Sequence, residues 1–176
     1  MGNRAVITTN KKLNETGIYL HWNGGRDSVE AFLAYCNLKG YRPPCYDCYG
    51  WSYLCGVITN WFGNGLSIGV DNCKRLDCDN YDNGVYILGD TPETGWYIVD
   101  RKYYGDYPEE YDYDLDKMIQ EIDQYQPEHM RLTKGEWEKF NTVKEKIMEY
   151  REKNGMKDKK KGTKRNKHGR FMKNYN

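Results

Sequence analysis

Two hydrophobic spacings divide the chain, and the order in which they occur limits what it can fold into. "RAVITT" (4 to 9) and "GIYLHW" (17 to 22) are short β-branched or aromatic runs separated by "NKKLNET". They read as a β-hairpin with a long loop. From Ser28 the apolar positions become Val29, Phe32, Leu33 and Cys36, the i, i+3, i+4, i+7 stripe of an amphipathic helix. Gly40 ends it and Pro43-Pro44 prevents resumption. A second helix is expected from about Cys48 to Phe62, apolar at Trp51, Leu54, Cys55, Ile58 and Phe62, with Gly50 and Gly56 against it.

"LSIGV" (66 to 70), "GVYIL" (84 to 88) and "WYIVDR" (96 to 101) then return to strand composition, each bounded by Asn, Asp or Gly. "YDLDKMIQEIDQY" places Leu115, Met118, Ile119 and Ile122 on one helical face, capped by Asp112 or Asp114 and stopped by Pro127. Thr133-x-x-Glu136 is a capping box for a last helix to about Asn154, with Trp137, Phe140, Val143, Ile147 and Tyr150 inward. The order ββααβββαα does not alternate, which predicts an α+β fold. Its expected form is a twisted, mostly antiparallel sheet of about five strands with helices on one face, then a long C-terminal helix and a basic tail. Residues 1–130 form the expected compact domain, 131–155 the amphipathic helix and 156–176 the tail.

Apolar runs such as Val85 to Leu88 are far shorter than the roughly 20 residues of a membrane span. No signal-peptide core follows Met1, and Val6 replaces the Ser or Thr that would favour myristoylation of Gly2. A soluble, cytoplasmic protein is expected, its six cysteines present as thiols or metal ligands. Cys45, Cys48, Cys73 and Cys78 would have to converge to hold zinc, but the Cys73-x4-Cys78 spacing is loose, and Cys36 and Cys55 fall on apolar helix faces. The expectation is neither metal nor cofactor.

Between the hairpin and the first helix, "NGGRDS" (23 to 28) resembles the "SGGxDS" signature of PP-loop ATP pyrophosphatases. The resemblance implies that amides at Gly24 and Gly25 approach phosphates, that Ser28 donates its hydroxyl and that Asp27 takes the acidic position. Asn23 departs from the signature, the match covers six residues, and the strand-helix repeats of a nucleotide-binding parallel sheet do not follow. Asp27-x-x-Glu30 offers a competing account as a capping box over the helix start. A cap does not require His21, Trp22 or Arg26, which read as an exposed contact surface; the plainer alternative is that His21 and Trp22 pack locally at a strand end.

The net charge of +1 conceals a division: Lys157 to Lys173 carries +8, leaving 18 basic against 25 acidic residues, −7, in the rest. The densest acidic part, "YYGDYPEEYDYDLD" (103 to 116), interleaves six acids with five tyrosines. Its Asp106, Glu109, Glu110 and Asp112 can imitate nucleic-acid phosphates in a basic groove, or form a plain solvated loop. "DCDNYDNG" (77 to 84) has oxygen ligands for a hard cation but not the ligand order of an EF-hand. In the tail, Lys159, Lys160, Lys161, Lys164, Arg165, Lys167 and Arg170 suit nucleic-acid phosphates, with Phe171 and Tyr175 available to stack on bases. Low hydrophobicity and like charge make that segment disordered by expectation. No nucleophile-base spacing stands out, so no catalytic residue is expected.

"GNRAVITT" (2 to 9), "IYLHWNGGRDSVEAFLAYC" (18 to 36), "YGWSYLCGVITNWFG" (49 to 63) and "LDCDNYDNGVYIL" (76 to 88) resemble small proteins carried by phages and mobile elements of gut Firmicutes. The resemblance spans residues 1 to about 130 and implies kinship with anti-CRISPR inhibitors of type II-A RNA-guided nucleases. It implies a non-enzymatic binder whose partner is the bacterial host's nuclease, with DNA or guide RNA held through the tail. The alternatives are a nucleic-acid-binding accessory protein of a mobile element and a PP-loop-like ATP-binding enzyme.

If four to six tail cations meet phosphates, log affinity for duplex DNA should fall against log salt with a slope of roughly −4 to −5. Truncation after Gly155 should remove most of that slope, measured by fluorescence anisotropy; unchanged binding by the truncated chain would make the tail a solubilising extension.

Overall fold

The computed structural model describes residues 2–65, 67–105 and 113–154. Strands β1 (Ala5–Thr8), β2 (Thr16–Leu20), β3 (Ile68–Asn72), β4 (Val85–Leu88) and β5 (Ile98–Lys102) form one sheet in the order β3-β2-β1-β4-β5. The fold is α+β, and the sheet is mixed: β1 runs parallel to β4, Ile7 opposite Tyr86, while the other pairs are antiparallel. The parallel pair departs from a purely hairpin-built sheet. The chain leaves β2, passes through two helices and β3, and re-enters beside β1 from the end at which β1 began.

Helices α1 (Arg26–Leu38), α2 (Tyr49–Phe62), α3 (Leu115–Gln124), α4 (Lys134–Trp137) and α5 (Phe140–Lys153) accompany it. One face of the sheet supplies Ala5, Ile7, Ile18, Leu20, Tyr86 and Leu88 to a core shared with α1, α2, α3 and α5. The other face carries Val6, Val85 and Ile87 against Cys73, with Leu13, Leu76 and Cys78 from the connecting segments around them. Strand alternation produces this division, since successive side chains point to opposite faces.

Helix α1 departs from the amphipathic expectation: eleven of its thirteen residues are buried. Beyond the expected Val29, Phe32, Leu33 and Cys36, it also buries Ala31, Ala34, Tyr35 and Leu38, because α2, α3 and α5 all pack around it. Tyr35 is pinned there, its hydroxyl donating to Asp123 Oδ1 at 2.7 Å with Met130 O also within 3.0 Å as a second, shared acceptor. Burial, then the hydrogen bond to Asp123, raises that phenol far above its ordinary pKa.

Asp114 caps α3 by accepting from the Lys117 amide at 3.1 Å, and Thr133 caps α4 through the Glu136 amide at 3.3 Å. The expected single last helix is divided at Glu138 and Lys139. Lys39, at the end of α1, holds the Glu136 carboxylate at 3.0 Å, while α5 turns to lay Val143 and Ile147 in the core. Among the described residues no helix is long and apolar enough to cross a membrane.

Gly84 precedes β4 with φ +68°, and a Cβ there would stand 2.1 Å from the Lys102 carbonyl oxygen of β5. Gly84→Ala should therefore cost roughly 2 to 3 kcal/mol of folding stability, read from the urea midpoint. An unchanged midpoint would contradict this approach of the two strands.

Candidate functional site

Polar groups concentrate at one end of the sheet, where β1, β3 and β4 begin and β2 and β5 finish. Of the eleven buried polar or charged residues among those described, only Thr8 and Gln126 lie elsewhere. Asn23, Arg26, Ser28, Glu30, Ser67, Asn80, Asn83, Arg101 and Arg151 surround the first two turns of α1 or the strand ends beside them. Burial of this many polar groups is tolerable only when they bond one another.

Glu30 illustrates the requirement. Its side chain is 4% exposed, and its carboxylate receives the Arg151 guanidinium, with Nε at 3.1 and 3.2 Å from the two oxygens, and the Tyr113 hydroxyl. Arg151 also donates to the Tyr113 oxygen at 2.6 Å. Desolvation, then the Glu30 charge, pushes the Tyr113 phenol well above its ordinary pKa. Arg26 Nε stands 3.9 Å from the same carboxylate. The first turn of α1 directs Arg26 inward to 4% exposure, which overturns the expectation of an exposed contact residue. The expected Asp27–Glu30 capping box is likewise absent: Gly25 occupies the cap position without a side-chain bond, Asp27 Oδ1 accepts from the adjacent Ser28 amide at 2.8 Å, and Glu30 faces the interior.

His21 is exposed, its Nδ1 2.9 Å from the Tyr19 hydroxyl and its ring edge-on to Trp22 at 5.1 Å. Trp22 is half-buried against the main core, so His21 is the member of that trio at the surface. Asp106, Glu109, Glu110 and Asp112 lie outside the described residues, as do Lys159, Lys160, Lys161, Lys164, Arg165, Lys167 and Arg170.

The glycine loop is engaged within the protein. The Gly24 amide donates to Asn3 O at 2.8 Å, the Gly24 carbonyl accepts from the Tyr86 hydroxyl at 2.9 Å, and Asn23 Nδ2 donates to Ser28 Oγ at 3.2 Å. A Cβ on Gly24 would come within 2.6 Å of Asn3 O and 2.7 Å of Ala5, so glycine is required for the loop to close on β1. Tyr86 is tied in turn to Arg101, which donates to its hydroxyl at 2.9 Å and lies between the rings of Tyr86 and Tyr103 at 4.5 and 4.7 Å. Moreover, β2, which precedes the loop, is antiparallel to both neighbours, unlike a strand in a doubly wound nucleotide-binding sheet.

In "DCDNYDNG", the cation is the protein's own Arg4. Its guanidinium donates to Asp82 Oδ2 at 2.8 Å, Asp77 Oδ2 at 2.9 Å and Asn80 O at 2.6 Å. Asn80, 1% exposed, shapes the loop by accepting from the amides of Asp82, Asn83 and Gly84. Although burial acts to raise it, the Asp82 pKa is lowered, because the Arg4 hydrogen bonds and charge favour the carboxylate. Arg4 rises correspondingly, chiefly through the Asp82 bond.

Among the described residues no three His, Cys, Asp or Glu side chains are placed to hold a metal ion. Cys73 and Cys78 sit on the outer face of the sheet, the Cys78 thiol donating to Cys73 O at 3.3 Å and pushed up to about 11 by burial. Cys45 lies instead under Gly95, ahead of α2. The Glu30 cluster and the Arg4 centre escape a reading by hydrophobic stripe. Ala31 and Ala34, flanking the stripe, are the signal for α1, since small residues permit close helix packing on a second face.

No protein-family model, no curated protein and no solved structure matches the chain.

Glu30→Gln removes the carboxylate shared by Arg26 and Arg151 and should cost roughly 3 to 5 kcal/mol, the range for breaking a buried pair. The control, Glu149→Gln, touches the exposed pair with Lys153 and should leave the urea midpoint unchanged. Equal midpoints for the two variants would contradict the buried network.

Proposed function

We propose that the chain is a non-enzymatic anti-CRISPR protein that binds a type II RNA-guided DNA nuclease in the cytoplasm of the bacterial host and blocks target binding or cleavage. The observation that carries this reading is the fate of the resembling segments. "GNRAVITT", "IYLHWNGGRDSVEAFLAYC" and "LDCDNYDNGVYIL" meet at one sheet end, where Arg4 bonds Asp77 and Asp82, Asn83 bonds Asn3, and Tyr86 bonds Gly24. Motifs whose polar groups bond each other specify a shape, and a stoichiometric binder presents a shape to its partner. Charge supports the same reading. A body of −7 suits the positively charged channels in which such nucleases hold nucleic acid, and the +8 tail suits DNA or guide RNA nearby. The tail alone favours the second reading, a nucleic-acid-binding accessory protein of a mobile element.

Target cleavage by a guide-loaded type II nuclease should fall as the protein approaches a small molar excess, without turnover and without damage to nuclease or guide. Potency should drop as salt rises, since steered association is screened. Neutralising Asp106, Glu109, Glu110 and Asp112 together should weaken inhibition more than tail removal does; the reverse order would make DNA the main partner. Full nuclease activity at roughly tenfold excess in low salt, for several type II-A nucleases, would leave the accessory reading standing.

A further inference from the structure

The segment between α1 and α2 and the first turns of α2 display aromatic residues on a closely packed support. Tyr46 and Tyr49 are 59% and 55% exposed. Tyr53 and Tyr41 continue the array, stacked at 4.3 Å between centroids, with Tyr49 and Tyr53 at 6.4 Å. Beneath it, Pro43 and Pro44 are buried, and a Cβ on Gly50 would fall 2.3 Å from Pro44 N, so the segment and the first turn of α2 close tightly on each other. Trp96 Nε1 donates to Tyr41 O at 2.6 Å, the Tyr46 amide donates to Pro43 O at 2.9 Å, and Asp47 Oδ1 accepts from the Tyr49 amide at 3.0 Å. Aromatic anchors held in place before binding lose little conformational freedom on association.

What such a surface accepts is illustrated by the side chain already on it. Arg42, half exposed, sets its guanidinium 4.8 Å from the Tyr49 ring centroid and 5.8 Å from that of Tyr46, while its Nη1 meets Asp47 Oδ2 at 3.1 Å. Two π-faces and a carboxylate around one planar cation are the recognition set for arginine. The surrounding charge has the matching sign: Asp90 and Glu93 lie close enough that their charges, after burial, help raise the Cys45 thiol pKa. Tyr41 and Glu93 also line an adjoining groove, which they share with Lys139 and Lys146.

We propose that Tyr46, Tyr49 and Asp47 form a docking surface for an arginine of a basic protein partner, with Arg42 keeping the place in the free protein. The proposal deepens the inhibitor reading and rests on it for the partner, an arginine-bearing nucleic-acid channel of the nuclease. Nucleic acid would also stack on tyrosines, but once Arg42 is displaced the Asp47 carboxylate beside the rings repels a phosphate. A guanidinium reads the same site with favourable charge.

The test uses the full-length protein, nona-arginine and nona-lysine as probes, and the Tyr46→Ala/Tyr49→Ala double variant. Wild type should bind nona-arginine roughly 5- to 10-fold more tightly than nona-lysine, because an ammonium lacks the planar face that stacks on a ring. The double variant should lose that preference with its melting temperature unchanged, and Tyr46→Phe/Tyr49→Phe should retain it. Equal affinity for the two peptides in wild type, or a preference that survives in the alanine variant, overturns the proposal. So does loss of oligothymidylate binding in that variant while the arginine preference stays, since the tyrosines would then serve bases. Nuclease assays separate the two readings. Inhibition by wild type that the alanine variant matches sinks the docking surface and spares the inhibitor. Arginine preference lost in the variant, with no inhibition by wild type, sinks the inhibitor and spares the surface.

Discussion

A carboxylate buried inside the helical layer sets the terms for the rest of the molecule. Glu30 lies on the helix that α2, α3 and α5 surround, and ionised in that position it must be neutralised and fully bonded. Arg151 comes from the end of α5 and Tyr113 from just ahead of α3, so one side chain joins elements more than a hundred residues apart. The pair adds little net stability over an apolar isostere, but it admits few alternative arrangements of α5. Hydrophobic contacts by Val143 and Ile147 would tolerate a shift along α1, whereas a bonded guanidinium would not.

A similar logic operates where the strands end. Arg4 gathers Asp77, Asp82 and the Asn80 carbonyl, and Arg101 is held by Tyr86, Tyr103 and Asn83. These arginines replace what a metal or a ligand would supply in another protein, a fixed positive centre around which loops can organise. Gly24 then closes against β1, and the loop that resembles a phosphate cradle becomes the joint between sheet and helix. The chain thus has a densely hydrogen-bonded polar end and, around the start of α2, a closely packed aromatic array.

Much of the fold was legible in the residues. Every strand and each of the main helices lies within a few positions of its hydrophobic pattern, because period 2 and period 3.6 are set by backbone geometry alone. Asp114, one of two candidates with Asp112, and Thr133 were readable as caps, each being a short polar side chain next to an orphan amide. Asp27 and Glu30 have the same spacing as a capping box, yet Glu30 turns inward to Arg151. Local pattern cannot distinguish these cases, since the competing partner arrives from the far end of the chain.

The sequence by itself determined the element types, their order, the α+β class and the concentration of positive charge in residues 157–173, all of which depend on near neighbours or on composition. Only the tertiary structure decided that β1 runs parallel to β4, that α1 is enclosed on nearly every side, that Arg26 is buried and that Arg4 fills the acidic loop. Each of these is a pairing across a long stretch of chain. The free energy that selects such a pairing comes from mutual burial and bonding, which exist only once both partners are in place.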